Sequence, residues 1–529
     1  MRTDIVVVGS GAAGLVAACA ARDRGLDVTL VTKSRAGLAS STTYAAGGFS
    51  LPLGSVSPPD HYRKTLETGR GLNLTHMLEA MVNNAAECLE RLSEFGVKVD
   101  QRDGYATVAP YSESPVAMGT GLTLPMVRHA RRAGVRILET SMVTGIFTGQ
   151  NGCAGVRVLN TRTGRRSSVA APAVIVATGG LGRLYGRTDN PVRTTGDGYV
   201  LLAELGLPLV DMEFVQFCSM SFCDPGFSTW IVPLELADHA RVVNELGEEF
   251  LAEVWRESGI ESGVQADLYG RDLSARAIGS QWDRGGEVWL HVEEIPEEFW
   301  QSPVGEATRR QFPRHRFPPD GPVRVRPIQH YASGGARVGE DCSTGLPGLF
   351  AAGEVTGGTD GANRVGGNAL SMTIVHGFLA AGSALRHVKT SDPKAVAVPD
   401  YHPADDLASL WLAGEGYISP RTLRHRVNRV ADEYLGPVRD EKGLKEGADR
   451  LEEAEGQLTD LKASSGRSLA EAYEVRNMVS LGRCVAQAAL AREESRGVHF
   501  RKDHPREGGR WLCSLEIRME SGSVTVRKV

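Results

Sequence analysis

Six consecutive residues, Gly9-Ser10-Gly11-Ala12-Ala13-Gly14, have the G-x-G-x-x-G spacing that lets a backbone close around a pyrophosphate. In this spacing Gly9 permits a tight turn, Gly11 admits the phosphates, and Gly14 lets a helix pack on a strand. The apolar run Ile5-Val6-Val7-Val8 before it fits a strand buried on both faces. Alanine-rich helical text over residues 15–24 and a second strand over 28–32 complete the unit. The helix N-terminus would turn its partial positive charge toward the phosphates. Lys33-Ser34 stands where an acidic ribose-binding residue would close a simple NAD fingerprint, and so argues against one.

The same unit heads a series of further motifs. They are Ser41-Thr-Thr-Tyr-Ala-Ala-Gly-Gly48, Ala177-Thr-Gly-Gly180, Thr195-Gly-Asp-Gly198, Asp211-Met-Glu-Phe-Val-Gln-Phe217, Arg271-Asp272, His330-Tyr-Ala-Ser-Gly-Gly335, Gly348-Leu-Phe-Ala-Ala-Gly-Glu354, Gly361-Ala-Asn-Arg-Val-Gly-Gly-Asn368 and Arg492-Glu-Glu-Ser-Arg-Gly-Val-His499. In content and order the series resembles the flavoprotein subunits of succinate dehydrogenase and fumarate reductase, and still more L-aspartate oxidase. The resemblance covers most of residues 1–385 and again about 470–515.

The resemblance implies an FAD site contacted by Gly9, Gly11, Ala12, Ala13, Gly14, Lys33, Ser34, Ser41, Thr42, Ala46, Gly47, Gly48, Ala177, Thr178, Gly179, Asp197, Glu354, Asn368, Ala369 and Leu370. Glu354 takes the place of the acidic residue on the ribityl hydroxyls. Asn368, Ala369 and Leu370 begin a helix beneath the isoalloxazine ring, where its N-terminus favours negative charge. Membrane-bound members attach FAD through a histidine whose place is held here by Ser41, which implies non-covalent FAD.

The resemblance also implies a reaction. Oxidising a saturated carboxylate needs a hydride acceptor, a proton acceptor and a grip on the carboxylate. Arg271, in Arg271-Asp-Leu-Ser-Ala-Arg276, matches the family's acid/base, while His330 and Arg364 match its carboxylate ligands. The other end departs from the pattern. Cys218-Ser219-Met220 replaces a His-Pro-Thr segment, and Val232-Pro233 with Leu236-Ala-Asp-His239 replaces Thr-Glu-x-x-Arg-Gly-Glu-Gly. A substrate carboxylate without partners there would be costly. The expectation is a small carboxylate altered at one end, or a second anchor supplied by Arg276, His239 or another residue of the inserted segment.

Around these motifs the fold class is α/β: a Rossmann-like FAD-binding domain (1–220 and 325–385), an inserted α+β capping domain (221–324), a C-terminal helical domain (400–500) and a β tail (501–529). Prolines at 303, 313, 318, 319 and 322 mark the end of the cap, and Pro399 and Pro403 precede charged helical text at 407–414, 421–434, 444–464 and 469–492. Residues 511–526 alternate as a strand pair.

With 529 residues and net charge −5, the chain has no electrostatic pull toward nucleic acid or anionic membrane. The eight cysteines show no metal-ligand spacing and are expected reduced and buried, and no apolar run reaches a membrane span of ~18 residues. The location expected is the cytoplasm. Three functions follow: an enzyme acting alone on a small carboxylate, a flavin subunit needing an iron–sulfur or other electron-transfer partner, or a silent flavoprotein.

Overall fold

The computed structural model describes residues 1–111, 117–391, 407–520 and 522–529. A five-stranded parallel sheet lies at its centre, in the order Leu349–Ala351, Ala173–Val176, Ile5–Val8, Val28–Val31, Arg136–Leu138. The register pairs Val8 with both Val176 and Val31, and Val176 with Ala351, so the three strand ends that carry glycine loops finish level with the one that leads to Lys33-Ser34. Parallel strands need cover on both faces, and this sheet has it. Ile5 and Val7 point into one apolar cluster with the helices Ala12–Arg22 and Asn368–Thr390, while Val6 and Val8 join a second with the sheet of Ser141–Gly149, Gly152–Asn160 and Arg166–Ala170.

The helix after the first strand is Ala12–Arg22, three residues earlier at its start than the sequence pattern gives, because the alanines between the glycines are already helical. It packs along Asn368–Thr390. That second helix is apolar and long enough to cross a membrane by length and composition, but 72 % of its most apolar window is buried in the protein. It begins at Asn368, as expected for the helix beneath the flavin ring.

The strands Val215–Phe222 and Val323–Ala332 form a long antiparallel pair that continues into a four-stranded sheet with Val288–Leu290 and Val242–Asn244. Positions 221 and 324, where the sequence divides core from cap, fall inside these two strands. A separate apolar cluster, including Trp255, Trp300 and Phe312, fills the inserted region.

In the last third, the helices Leu407–Ala413, Pro420–Tyr434, Glu441–Gly456 and Gly466–Ala491 stand near the expected places. The expected helix 444–464 ends earlier, at Gly456, in a 3-10 turn over Gln457–Asp460. The proposed start at 400, with Pro399 and Pro403, lies outside the described residues. Strands Leu515–Glu520 and Ser523–Lys528 form the terminal pair, and the first of them joins Leu209–Val210, tying the tail back to the core.

Candidate active site

The glycine loops at the strand ends enclose a cavity of about 910 Å³, counted out to its open mouth. The first loop builds its floor. Gly9 has φ +112°, and a Cβ there would lie 2.1 Å from the Ala177 carbonyl oxygen. The helix starting at Ala12 has Gly11 as its N-cap and no side-chain cap; its Ala12 N–H donates to Thr42 Oγ1 at 3.1 Å. A helix end left open in this way is an anion site waiting for a phosphate.

Of the expected cofactor residues, Gly9, Gly11, Ala12, Ala13, Lys33, Ser34, Ser41, Thr42, Ala177, Thr178, Gly179, Asp197 and Glu354 line the cavity. Gly14 does not; it is the packing glycine, with a would-be Cβ 2.0 Å from Gly9 O. Ala46, Gly47, Gly48, Asn368, Ala369 and Leu370 also lie off the cavity wall. Ser10, Ser141, Arg193, Thr194 and Thr373 line it without having been expected. Arg193 and Thr194 sit beside the Thr-Gly-Asp-Gly motif, which was the available signal.

Lys33 is committed to protein partners. Its ammonium lies 2.7 Å from Asp197 and 3.0 Å from Glu474, and it donates to Thr195 Oγ1 at 2.9 Å. Burial would raise the Asp197 carboxyl, but Lys33 and hydrogen bonds from Asn477 and Thr195 hold it below its usual range. The pair thus fixes one wall and joins it to the helix Gly466–Ala491. Thr178 Oγ1 on the wall is buried with no protein partner, and Glu354 presents a carboxylate that burial pushes up to about 7 against the pull of Ala332 N–H, His330 and Arg364. An unpaired hydroxyl, a helix end without its own side-chain cap and a buried carboxylate at the far end suit a polar, phosphate-bearing ligand as long as FAD. The residues fit the group.

Beyond Glu354 lies a cationic cluster. The Ala332 N–H donates to Glu354 Oε1 at 3.3 Å, and His330, two residues earlier on the same strand, is one of the charges that act on the Glu354 carboxylate. Arg364 is 4 % exposed; its Nη2 donates to Gln216 Oε1 at 3.0 Å, and its guanidinium lies 4.3 Å from the centre of the Tyr331 ring. A chain of amides holds this loop: Gln216 Nε2 donates to Asn363 Oδ1 at 3.0 Å, and Asn363 Nδ2 to Asp272 Oδ1 at 3.1 Å. Arg271 opens the helix Arg271–Asp283, its Nε 3.6 Å from Asp267 Oδ1. The Gly366 N–H, donating to Leu268 O at 3.0 Å, locks the Arg364 loop against the same turn. The Nε atoms of both arginines are buried without a hydrogen-bond partner. The three residues expected to carry chemistry therefore come together, with donors to spare.

Electrostatics keep the cluster charged. Burial would strip the Arg271 proton, but Cys218, Asp267 and Asp189 hold it more firmly than usual. Burial likewise opposes a charged His330, yet Cys218 and Asp189 raise it to about 9. At Arg364 burial dominates, and with the charge of Arg271 lowers the guanidinium below its ordinary value.

The rebuilt end is apolar. Cys218 is 2 % and Val232 1 % exposed, and Val232 bridges to Met220. Neither expected substitute anchor reaches the cluster by its described contacts. His239 packs on Phe299 with ring centres 4.6 Å apart, and Arg276 stacks on Phe500 at 4.9 Å beside a separate small hollow. Asp267 and Asp189, two acidic residues of the cluster, were missed. Asp267 had a signal in its four-residue spacing from Arg271; Asp189 had none, since only the fold brings it to His330. Among the described residues the cysteines form no disulfide, and two depart from the buried expectation: Cys223 is exposed and Cys513 half-buried.

Residues 4–370 match the model of the FAD binding domain family, and 424–528 that of the fumarate reductase flavoprotein C-terminus. The chain belongs to the succinate dehydrogenase and fumarate reductase flavoprotein family. It is an FAD-dependent oxidoreductase. L-aspartate oxidase of Halobacterium salinarum is 31 % identical, over 95 % of this chain and 96 % of that one. A fumarate reductase (CoM/CoB) subunit of Methanothermobacter marburgensis is 28 % identical, over 97 % and 96 %. Among solved structures, Mycobacterium smegmatis Sdh1 in complex with UQ1 superposes with a TM-score of 0.86 at 29 % identity, over all of this chain and 94 % of that one.

Proposed function

We propose that this flavoprotein transfers hydride between flavin N5 and a small carboxylate of the succinate, fumarate or aspartate kind, altered at one end, with Arg271 as proton donor and acceptor. The observation that carries this reading is the meeting of Arg271, His330 and Arg364 at the Glu354 end of the FAD cavity. FAD, when bound, supplies the two-electron acceptor or donor. The side chains of this chain do the rest. Arg364 and His330 grip one carboxylate, and the planar guanidinium fixes its orientation. Arg271 holds a proton at the carbon opposite the flavin, and Asp267 compensates its charge. Burial of Arg364 keeps water from competing for the carboxylate.

Cys218 stands where the family pattern has a histidine, and Met220 and Val232 are buried in the cap's apolar cluster, so none of the three offers a charge-assisted donor, which supports a substrate lacking a second free carboxylate there. In this reading residues 1–220 and 325–385 are a Rossmann-like FAD-binding domain in a cytoplasmic protein, and the 221–324 cap closes over the substrate on the paired strands Val215–Phe222 and Val323–Ala332. Ser41, whose Oγ donates to Asn190 Oδ1 at 2.8 Å, leaves FAD held without a covalent bond.

The test is an anaerobic titration of the oxidised protein with succinate, L-aspartate and related monocarboxylates, following flavin absorbance. Bleaching by a carboxylate supports the reading and names the substrate class. Full FAD occupancy with no bleaching by any of them overturns it. A second reading, a flavin subunit of an electron-transfer complex with an iron–sulfur partner, is favoured by the Methanothermobacter relative being one subunit of its enzyme. Co-purification of a cysteine-rich chain from the native host decides for it.

A further inference from the structure

The segment Arg187 to Asn190 runs beside the strand Val323–Ala332 and is fastened to it at three successive points. Gln329 N–H donates to Arg187 O at 3.0 Å, Thr188 Oγ1 donates to Gln329 Oε1 at 2.8 Å, and Asn190 Nδ2 donates to His330 O at 2.8 Å. The residue between the last two fasteners is Asp189. Its Oδ2 lies 2.8 Å from His330 Nδ1, and its carboxylate is 9 % exposed against 25 % for the His330 side chain. A β-bulge supplies the other half of the geometry. Opposite Gln216 and Phe217 stand Tyr331 and Gln329, so His330 is the extra residue, left out of the ladder, and its charge acts on the Glu354 carboxylate.

Asp189 takes no part in the reaction described above, yet it sits where the cluster's charge is decided. The groups facing His330 are Asp189 from the fastened segment, Cys218 from the adjacent strand, Asp267 from the short helix Gly263–Tyr269 before Arg271, and Glu354. Arg271 and Arg364 belong to the same cluster. A half-buried imidazole beside two guanidiniums would ordinarily stay neutral, since desolvation and like charge both disfavour a third cation. A carboxylate held in line with Nδ1 reverses that balance and leaves the other ring nitrogen for the Cys218 side and the cavity.

We propose that Asp189 is a positioning residue that holds His330 as an imidazolium, so that the site grips its carboxylate with a charged rather than a neutral ring. The elevation of His330 to about 9 agrees with this. The charge state stands on the Asp189 geometry, with Cys218 as a second neighbour that raises the ring; its use in gripping substrate rests on the carboxylate reading given above.

The test is nitrogen NMR of the flavin-loaded protein carrying labelled histidine, with the His330 signal among the 13 histidines assigned by its loss in His330→Gln. In the wild type the ring stays doubly protonated well past neutrality. In Asp189→Asn its proton affinity falls at least tenfold, and Asp189→Glu restores most of it. A wild-type His330 that titrates at the ordinary histidine value of about 6.5, or an unchanged titration in Asp189→Asn, overturns the proposal. Should Asp189→Asn fail to fold, a wild-type value of about 6.5 overturns the proposal by itself, and Cys218→Ser, which leaves Asp189 in place, must keep the ring raised.

A second arm uses propionate, a monocarboxylate that needs only the Arg364 and His330 end, as the probe, following the flavin absorbance change. At about pH 8 its dissociation constant rises at least tenfold in Asp189→Asn, because the neutral ring that remains is the weaker ligand. A raised His330 titration in the wild type together with propionate binding indifferent to it supports the Asp189–His330 pair and sinks the carboxylate-ligand reading of His330.

Discussion

Arg364 owes its place to Gln216 and Tyr331 and keeps its Nε free of protein partners. That residue needs both the fork that meets a carboxylate and the flat face that lies on Tyr331. Lysine supplies neither. Arg364→Lys is expected to retain FAD and lose about 10- to 100-fold in kcat/KM, the range of one charge-assisted hydrogen bond of roughly 1.5–3 kcal/mol. Arg271→Ala should also keep the flavin spectrum, but turnover falls at least about a hundredfold because an acid–base group is gone; near-normal turnover removes Arg271 from the mechanism. The Asp189–His330 pair adds a pH signature. The folded value of His330, about 9, lies above its unfolded one, so the stabilisation by the pair is complete below the ordinary histidine range and is lost as pH rises through about 9. The gap in melting temperature between wild type and Asp189→Asn should therefore narrow across that window.

At the scale of elements, the turn between the strand Ile5–Val8 and the helix Ala12–Arg22 has the least freedom. Gly9 adopts a positive φ, and any Cβ there meets the Ala177 carbonyl at 2.1 Å, a backbone atom of the neighbouring strand's loop that cannot swing away. Gly9→Ala should push the first and second glycine loops apart and yield a colourless protein. Gly25→Ala is the matched control: its φ is +86° but nothing lies within 4 Å of the new Cβ, so it costs only the left-handed strain of about 1–2 kcal/mol and keeps FAD. Absorbance of the purified variants separates the two.

This element was legible in the sequence because its determinants are contiguous. Strand, loop and helix are specified by neighbours, and the glycines carry their own steric reasons. The substrate end was legible only where a motif marked it. Arg271, His330 and Arg364 come from segments up to 93 positions apart, and a family pattern located them (364 − 271 = 93). Asp189 faces His330 across 141 positions with no periodicity to announce it, whereas the early end of the helix falls at a glycine, Gly456, a local stop signal within text that otherwise reads as helical.

Across the whole molecule, the C-terminal third is joined to the core through charge buried out of reach of water. Arg492, fully buried, lies 2.5 Å from Glu213 and 3.6 Å from Asp211, contacts Glu494 at 3.1 Å, and donates to the carbonyls of Trp511 and Cys513. Asp211, from the segment that leads into the paired strands under the cap, accepts from Ser514 and from Leu515 N–H of the terminal strand. One guanidinium thus ties the last helix, the tail and the strand that carries Gln216. Arg492→Met keeps volume but leaves carboxylates buried without their counter-charge, at a cost of about 3–5 kcal/mol. Burial first, and Glu213 second, already hold Asp211 up to about 7, with Arg492 pulling it down. Removing that pull raises it further, so the variant takes up a proton on folding and its deficit grows with rising pH. Thermal melts of Arg492→Met should therefore lie closest to wild type under mildly acidic conditions and diverge toward alkaline pH. Equal deficits at both ends would show that packing, not charge, makes the joint.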